Sequence, residues 1–124
     1  MVVDDDPLIR AVCKSHLEEA GYSVIVVENG AAALRQLRKQ EVDAVLLDIL
    51  MPKMDGIETL LEIKKLKLPL RVYTMSGGGR AKPDQFLDVT MKFGADGSLK
   101  KPFSPADLIR LLRTPGLANQ RPAG

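Results

Sequence analysis

Four short stretches of this 124-residue chain carry side chains able to do chemistry together: Asp4-Asp5-Asp6, Asp48, Thr74-Met75-Ser76 and Lys100-Lys101-Pro102. Each follows or closes a short apolar run. Carboxylates gathered at one place cannot all ionise cheaply unless positive charge lies among them. A divalent cation answers that need, and oxygen donors without His or Cys beside them suit Mg²⁺. If the remaining lining is the Ser76 hydroxyl and the Lys101 ammonium, the site suits a phosphoryl group, because metal, hydroxyl and ammonium can each meet a phosphoryl oxygen. Asp48, at the centre, has the chemistry of a nucleophile that forms an aspartyl-phosphate. The sequence marks no separate substrate pocket.

These stretches must be brought together by the elements around them. Apolar runs at 2–3, 24–27, 44–47, 72–75 and, weakly, 98–100 alternate with segments of helical period at 8–20, 31–40, 57–66, 84–93 and 105–112. Strands that are apolar throughout are covered on both faces, so the alternation predicts a parallel sheet between helices: an α/β, doubly wound (βα)5, three-layer sandwich. Ligands of such sheets bind outside the carboxyl ends of the strands, where the acids, the hydroxyl and the lysine fall. Pro7 belongs to the first turn of the first helix, and Gly21 and Gly94 read as helix stops. Ser104-Pro105-Ala106-Asp107 places a capping serine, a first-turn proline and an acid at a helix start. That last helix is expected to bury Leu108, Ile109, Leu111 and Leu112. Residues 1–113 read as one domain, and 114–124, which lack any period, as a flexible tail.

Composition excludes several classes. With 18 basic and 16 acidic residues, the net charge of +2 is too small for a nucleic-acid or membrane footprint. Two Tyr, three Phe and no Trp leave no platform for stacking bases. The start has neither a basic nor an apolar signal region, and no window approaches a membrane span. A single cysteine, Cys13, allows no internal disulfide, so a cytoplasmic setting is expected. The near balance of charge hides an asymmetry. Residues 1–62 carry 6 basic and 12 acidic side chains and residues 63–124 carry 12 and 4, which favours an acidic partner for the later half.

Taken in order, Val3-Asp4-Asp5-Asp6-Pro7, the stretch from Leu47 through Asp48 to Gly56, Met75-Ser76-Gly77 and Lys101-Pro102-Phe103 resemble the receiver domain of two-component response regulators. The resemblance runs from Val2 to about Arg113. It implies a flavodoxin-like sheet of order 2-1-3-4-5. It also implies Asp48 as phosphoacceptor, Asp5 as direct ligand of Mg²⁺, Asp4 as holder of a metal-bound water and the backbone carbonyl of Leu50 as another ligand. Ser76 takes the place of the switch hydroxyl and Lys101 that of the phosphate-pairing ammonium; Ile49 and Gly77 line the phosphoryl group, and Lys101-Pro102 is a cis peptide. The implied phosphodonor is a sensor histidine kinase or histidine phosphotransfer protein. The implied target is a protein bound through residues 84–93, the last strand and residues 106–113. Homodimerisation stays open. The chain is expected to act as a stand-alone receiver that promotes only its own phosphorylation and dephosphorylation; a phosphate sink, a relay intermediate and a phosphate-independent interaction module are the alternatives. A flavin carrier of the same topology would want an uncharged, hydroxyl-rich loop where the three acids stand. An aspartyl-nucleophile phosphatase would want an acid at Leu50.

The sequence departs from the family's pattern in three places. Ser98 stands where an aromatic is usual, so the signal is expected to pass through the 76–83 loop, with its Gly77-Gly78-Gly79 run, rather than through an aromatic rotamer. Leu50 and Gly78 stand where polar groups often orient a hydrolytic water, which predicts slow loss of phosphate. The first strand is short. Blander roles are expected for His16 (a surface residue), Cys13 (a small apolar side chain), Met51, Met54, Met75 and Met91 (fillers of gaps), and Lys64, Lys65 and Lys67 (solvated, without partners).

Overall fold

A computed structural model describes residues 1–50, 56–77 and 90–113. In chain order the elements are β1 (Val2–Val3), α1 (Pro7–Glu19), β2 (Val26–Val27), α2 (Gly30–Lys39), β3 (Ala44–Asp48), α3 (Gly56–Lys65) and β4 (Arg71–Ser76). Helical residues 90–92 (α4), β5 (Gly97–Lys100) and α5 (Pro105–Arg113) follow. The five strands are all parallel and lie in the order β2-β1-β3-β4-β5. The expected doubly wound sandwich is therefore present.

Alternation along the strands divides the interior in two. Val3, Val45, Leu47 and Val72 pack with Ala33, Leu34 and Leu37 of α2 and Leu60 and Ile63 of α3. Val2, Leu46, Tyr73 and Met75 point the other way, toward Cys13 and Leu17 of α1 and Leu108 and Leu112 of α5. Burying each such side chain stabilises the fold by roughly 1.5–3 kcal/mol, so the strands are fixed from both faces and their carboxyl ends are held at one edge.

Helix boundaries follow local chemistry. Asp6 caps α1, its Oδ1 accepting from Leu8 N at 2.9 Å, with Pro7 in the first turn. Asn29 caps α2 by accepting from Ala32 N at 2.8 Å. Ser104 Oγ accepts from Asp107 N while Asp107 Oδ2 accepts from Ser104 N, a reciprocal cap for α5. Gly21 and Gly94 both take positive φ, +96° and +102°, where a side chain would be strained.

Some expectations need correction. β2 covers Val26–Val27 rather than 24–27. Its partner β1 is only two residues long, and the backbone bonds from it run from Val2 N to Ile25 O and from Asp4 N, just beyond it, to Val27 O. Of the four α5 side chains expected inside, Leu108 and Leu112 are buried, whereas Ile109 and Leu111 are half-buried. His16 is half-buried rather than exposed. Lys65 is not without a partner: its Nζ lies 3.0 Å from Glu62 Oε1. Met75 is a buried filler, and Met51 and Met54 lie outside the described residues, as do the 114–124 tail and most of the 84–93 helix.

Gly56, the first residue of α3, lies against the strand that carries Asp48. A Cβ there would sit 2.1 Å from Ile49 Cα and 2.4 Å from Asp48 O, both backbone atoms that cannot swing aside. Gly56→Ala is expected to destabilise the protein by about 3 kcal/mol or more, read from urea unfolding. An unchanged midpoint would mean that α3 can shift freely away from β3.

Candidate functional site

Asp4 follows β1 directly and is fully buried. A buried carboxylate needs donors on both oxygens, and it has them: Asp6 N donates to Oδ1 at 2.9 Å and Lys101 Nζ to Oδ2 at 2.8 Å. Asp5, the next residue, is exposed. Asp48 ends β3 and is 5% exposed. One of its oxygens accepts from the Leu50 amide at 3.1 Å, and the other faces Lys101 Nζ at 3.5 Å. Asp4, Asp5 and Asp48 each place a carboxylate oxygen within 4.8 Å of the others. The sheet thus brings together the three acids singled out from the sequence.

Lys101 reaches this cluster from just beyond β5. Its backbone N–H donates to Ser76 O at 2.8 Å, and the Lys101-Pro102 peptide is cis, as expected. The acids therefore have an opposing cation among them before any metal is considered. Burial works against the charge of that ammonium, but the hydrogen bond it donates to Asp4 and the charges of Asp48 and Asp4 outweigh it and hold its pKa above the ordinary lysine value. The Asp48 pKa moves the same way, which for a carboxyl disfavours the charged form. Burial, and then the charge of Asp4, push its carboxyl up to about 6, against the pull of the Leu50 amide and Lys101.

Gly77 is half-buried, and a Cβ on it would meet Lys101 O at 2.6 Å and Lys101 Cβ at 2.7 Å. Its lack of a side chain is what lets Lys101 stand where it does. Ser76 ends β4, and among the described residues its Oγ is the one buried side-chain oxygen or nitrogen without a hydrogen-bond partner. Ser98 is half-buried on β5, opposite Thr74, and Pro102 is exposed. Gly78 lies outside the described residues, as does most of the 76–83 loop.

The Ile49 backbone is engaged within the sheet. The Ile49 amide donates to Met75 O at 3.0 Å and its carbonyl accepts from Gly56 N, so its backbone is committed to holding β3 in place. Ile49 is 2% exposed. The amide directed at the Asp48 carboxylate is that of Leu50, a position singled out from the sequence only for its carbonyl and its apolar side chain. No residue pattern announces that contact, because it depends on how the chain turns after β3.

The donor set fits Mg²⁺. Three carboxylates face one contacting ammonium, leaving negative charge for a divalent ion to balance. All donors are hard oxygens, and exposed Asp5 leaves a solvent side for the waters that Mg²⁺ retains. The orphaned Ser76 hydroxyl is a second polar group at the same sheet edge still wanting a partner. Asp5 and Asp48 have oxygens to offer, whereas Asp4 already receives a donor on each oxygen.

Sheet order β2-β1-β3-β4-β5, with acids ending β1 and β3 and a lysine beyond β5, defines a CheY-like receiver fold. The chain belongs to the response regulator receiver domain family, whose model matches residues 1–113. It is 34% identical over 109 residues, 87% of this chain and 44% of the relative, to the alkaline phosphatase synthesis transcriptional regulatory protein PhoP of Bacillus subtilis. It is 37% identical to the transcriptional regulatory protein CpxR homolog of Haemophilus influenzae, covering 91% of this chain and 48% of that one. The chain thus spans about half the length of these curated relatives. Among solved structures it is similar to the receiver domain of NtrX from Brucella abortus, at a TM-score of 0.82 and 30% identity over 91% of this chain and 97% of that one. It is also similar to the chemotaxis protein CheY4 of Vibrio cholerae, at a TM-score of 0.80 and 28% identity over 90% and 92%. Among the described residues, no helix is long and apolar enough to cross a membrane.

Proposed function

We propose that this receiver domain accepts a phosphoryl group on Asp48 from a histidine kinase or histidine phosphotransfer protein, in a cytoplasmic setting. The observation that carries the reading is the surroundings of Asp48: a nearly buried carboxylate with one oxygen on the Leu50 amide, the other facing Lys101, and Asp4 and Asp5 alongside. An Asp48 oxygen attacks phosphorus as the phosphorus–nitrogen bond of a phosphohistidine breaks. The P–O bond forms with the carboxylate's electron pair, and the imidazole leaves with the pair from the broken bond and is protonated. Lys101 and the Leu50 amide hold the attacking group in place and offer positive charge to the oxygens of the incoming group. Mg²⁺, held by Asp5 and Asp48 with Asp4 behind them and the Leu50 carbonyl as a further ligand, supplies charge neutralisation for the phosphoryl oxygens when bound.

On this reading the chain is not an enzyme acting on a separate substrate; it promotes its own phosphorylation and dephosphorylation. Output is protein binding through α4, β5 and α5, with phosphate passed onward or held as a sink as the alternative within the class. Incubation with acetyl phosphate and Mg²⁺, followed by intact mass, tests it. A phosphoryl adduct in the native chain that is absent from Asp48→Asn is the expected result. A chain that takes no adduct while still binding its partners would be a phosphate-independent interaction module.

Leu50 has a consequence for the lifetime of the adduct. Its side chain, 37% exposed beside Asp48, has no group to orient an attacking water. Leu50→Asn is expected to speed loss of the phosphoryl group about 10-fold, followed by mass or by release of inorganic phosphate. Equal decay in the two proteins would remove Leu50 from the account.

A further inference from the structure

Arg10 takes no part in the chemistry described so far, yet it grips the acidic turn from both sides. Its backbone N–H donates to Asp6 O at 3.1 Å as part of α1, and its guanidinium Nη1 donates to Asp4 O at 2.8 Å. These are the carbonyls of the two residues flanking Asp5. Asp5 is exposed, so its own surroundings do not pack it into position. Its place depends on the peptide planes either side of it. On the Asp4 side these are fixed by Asp4 N on Val27 O at 3.2 Å and by the Arg10 guanidinium on the carbonyl; on the Asp6 side they are fixed by Asp6 N on Asp4 Oδ1 and by the Arg10 amide. Asp4 is fully buried, so its carbonyl without the guanidinium would lose a charge-assisted bond that water cannot readily replace.

We infer that Arg10 is a positioning residue for the metal-binding acids: by clasping the Asp4–Asp5–Asp6 turn it aims the Asp5 carboxylate at the cation. The inference rests on the Mg²⁺-binding part of the function proposed above. Two physical effects of Arg10 have opposite signs here, and that makes it testable. As a positive charge held on the Asp4 carbonyl, Arg10 opposes a cation at the neighbouring acids, so removing the charge alone would not weaken Mg²⁺ binding and would tend to tighten it. As a clasp, it orders a ligand, so removing it loosens binding, as loss of the groups that orient metal ligands ordinarily does by about 10-fold or more. Only one Nη donates to Asp4 O, so a lysine, with one ammonium of similar reach, retains the essential contact.

The experiment is calorimetric titration of Mg²⁺ alone, without phosphodonor, into the native chain, Arg10→Gln and Arg10→Lys, each checked for folding by its thermal melt. Positioning predicts about 10-fold weaker binding for Arg10→Gln and recovery to within about 3-fold for Arg10→Lys. Unchanged or tighter binding by folded Arg10→Gln overturns the inference while leaving the proposed function intact. If Arg10→Gln does not fold, the titration is read from Arg10→Met, which also removes the contact with Asp4 O: binding about 10-fold weaker supports the clasp, and unchanged or tighter binding overturns it. A native chain that takes up no Mg²⁺ at all would sink the functional reading itself, a separate outcome read from the first titration.

Discussion

Lys101→Met is expected to cost the metal-free protein about 3 kcal/mol of stability at pH 8. The side chain stands 2.8 Å from a fully buried Asp4 oxygen and 3.5 Å from Asp48 Oδ2, and methionine fills its space without its charge. The loss is mainly the penalty of leaving two buried carboxylates unpaired, so three further results follow. At pH 5 the cost shrinks, because Asp48, already pushed up to about 6 with the lysine present, carries a proton there. Millimolar Mg²⁺ recovers part of the loss, since it binds only the folded chain and brings positive charge to the same acids. In an Asp48→Asn background the cost falls by about 1 kcal/mol but does not vanish, because the shorter contact is with Asp4. Denaturant melts of the four proteins of this cycle at the two pH values, with and without Mg²⁺, check all three. Equal costs at both pH values would mean that Lys101 serves by packing and not by charge.

The second large effect has the opposite sign. Asp48→Asn is expected to stabilise the metal-free protein by about 2 kcal/mol at pH 8. The folded carboxyl is raised from 3.8 to about 6, so the native state holds its proton more tightly than the unfolded chain does. Stability therefore falls as pH rises through the window from about 4 to about 6, and stays reduced above it. Asparagine keeps the shape without the ionisation, so its advantage is complete above pH 6 and fades toward pH 4. With saturating Mg²⁺ the advantage is expected to shrink or reverse, because the native carboxylate then has its counter-charge. A variant that is less stable than the native chain at pH 8 without metal would show that the carboxylate is no burden to the fold. The residue most central to the proposed function is thus the one whose charge the metal-free fold resists, as strained functional sites generally are.

How far the sequence anticipated the structure differs from place to place for physical reasons. Helix ends marked by short-range chemistry were readable: Gly21 and Gly94 take the positive φ that a stop requires, and Ser104 and Asp107 cap each other. The ends of strands were less so, because a strand's length is set by its neighbour. Val24 and Ile25 are as apolar as Val26 and Val27, yet β2 counts only the latter pair because β1 is so short. Asp4, Asp5, Asp48 and Lys101 were legible as a group because parallel sheets gather what lies at their strands' carboxyl ends. The contacts that orient that group were not. Leu50 N on Asp48, Ile49 N on Met75 O and Arg10 on Asp4 O are backbone contacts made where the chain turns, and they leave no signature in residue type or spacing.

Cys13 gives the molecule a built-in reporter. It is the chain's one sulfhydryl, fully buried in α1 and lining a hollow of about 450 Å³ with Ile9, Val12 and Phe103, close by Gly77 and Lys101. Burial, and then the charge of Asp4, raise its thiol to about 11, with Lys101 pulling the other way. At neutral pH a thiol reagent therefore meets almost no thiolate until α1 lifts from the sheet, so labelling proceeds at the pace of that local opening. Its kinetics follow loosening of the layer under the acidic turn in the unaltered protein, with no introduced fluorophore.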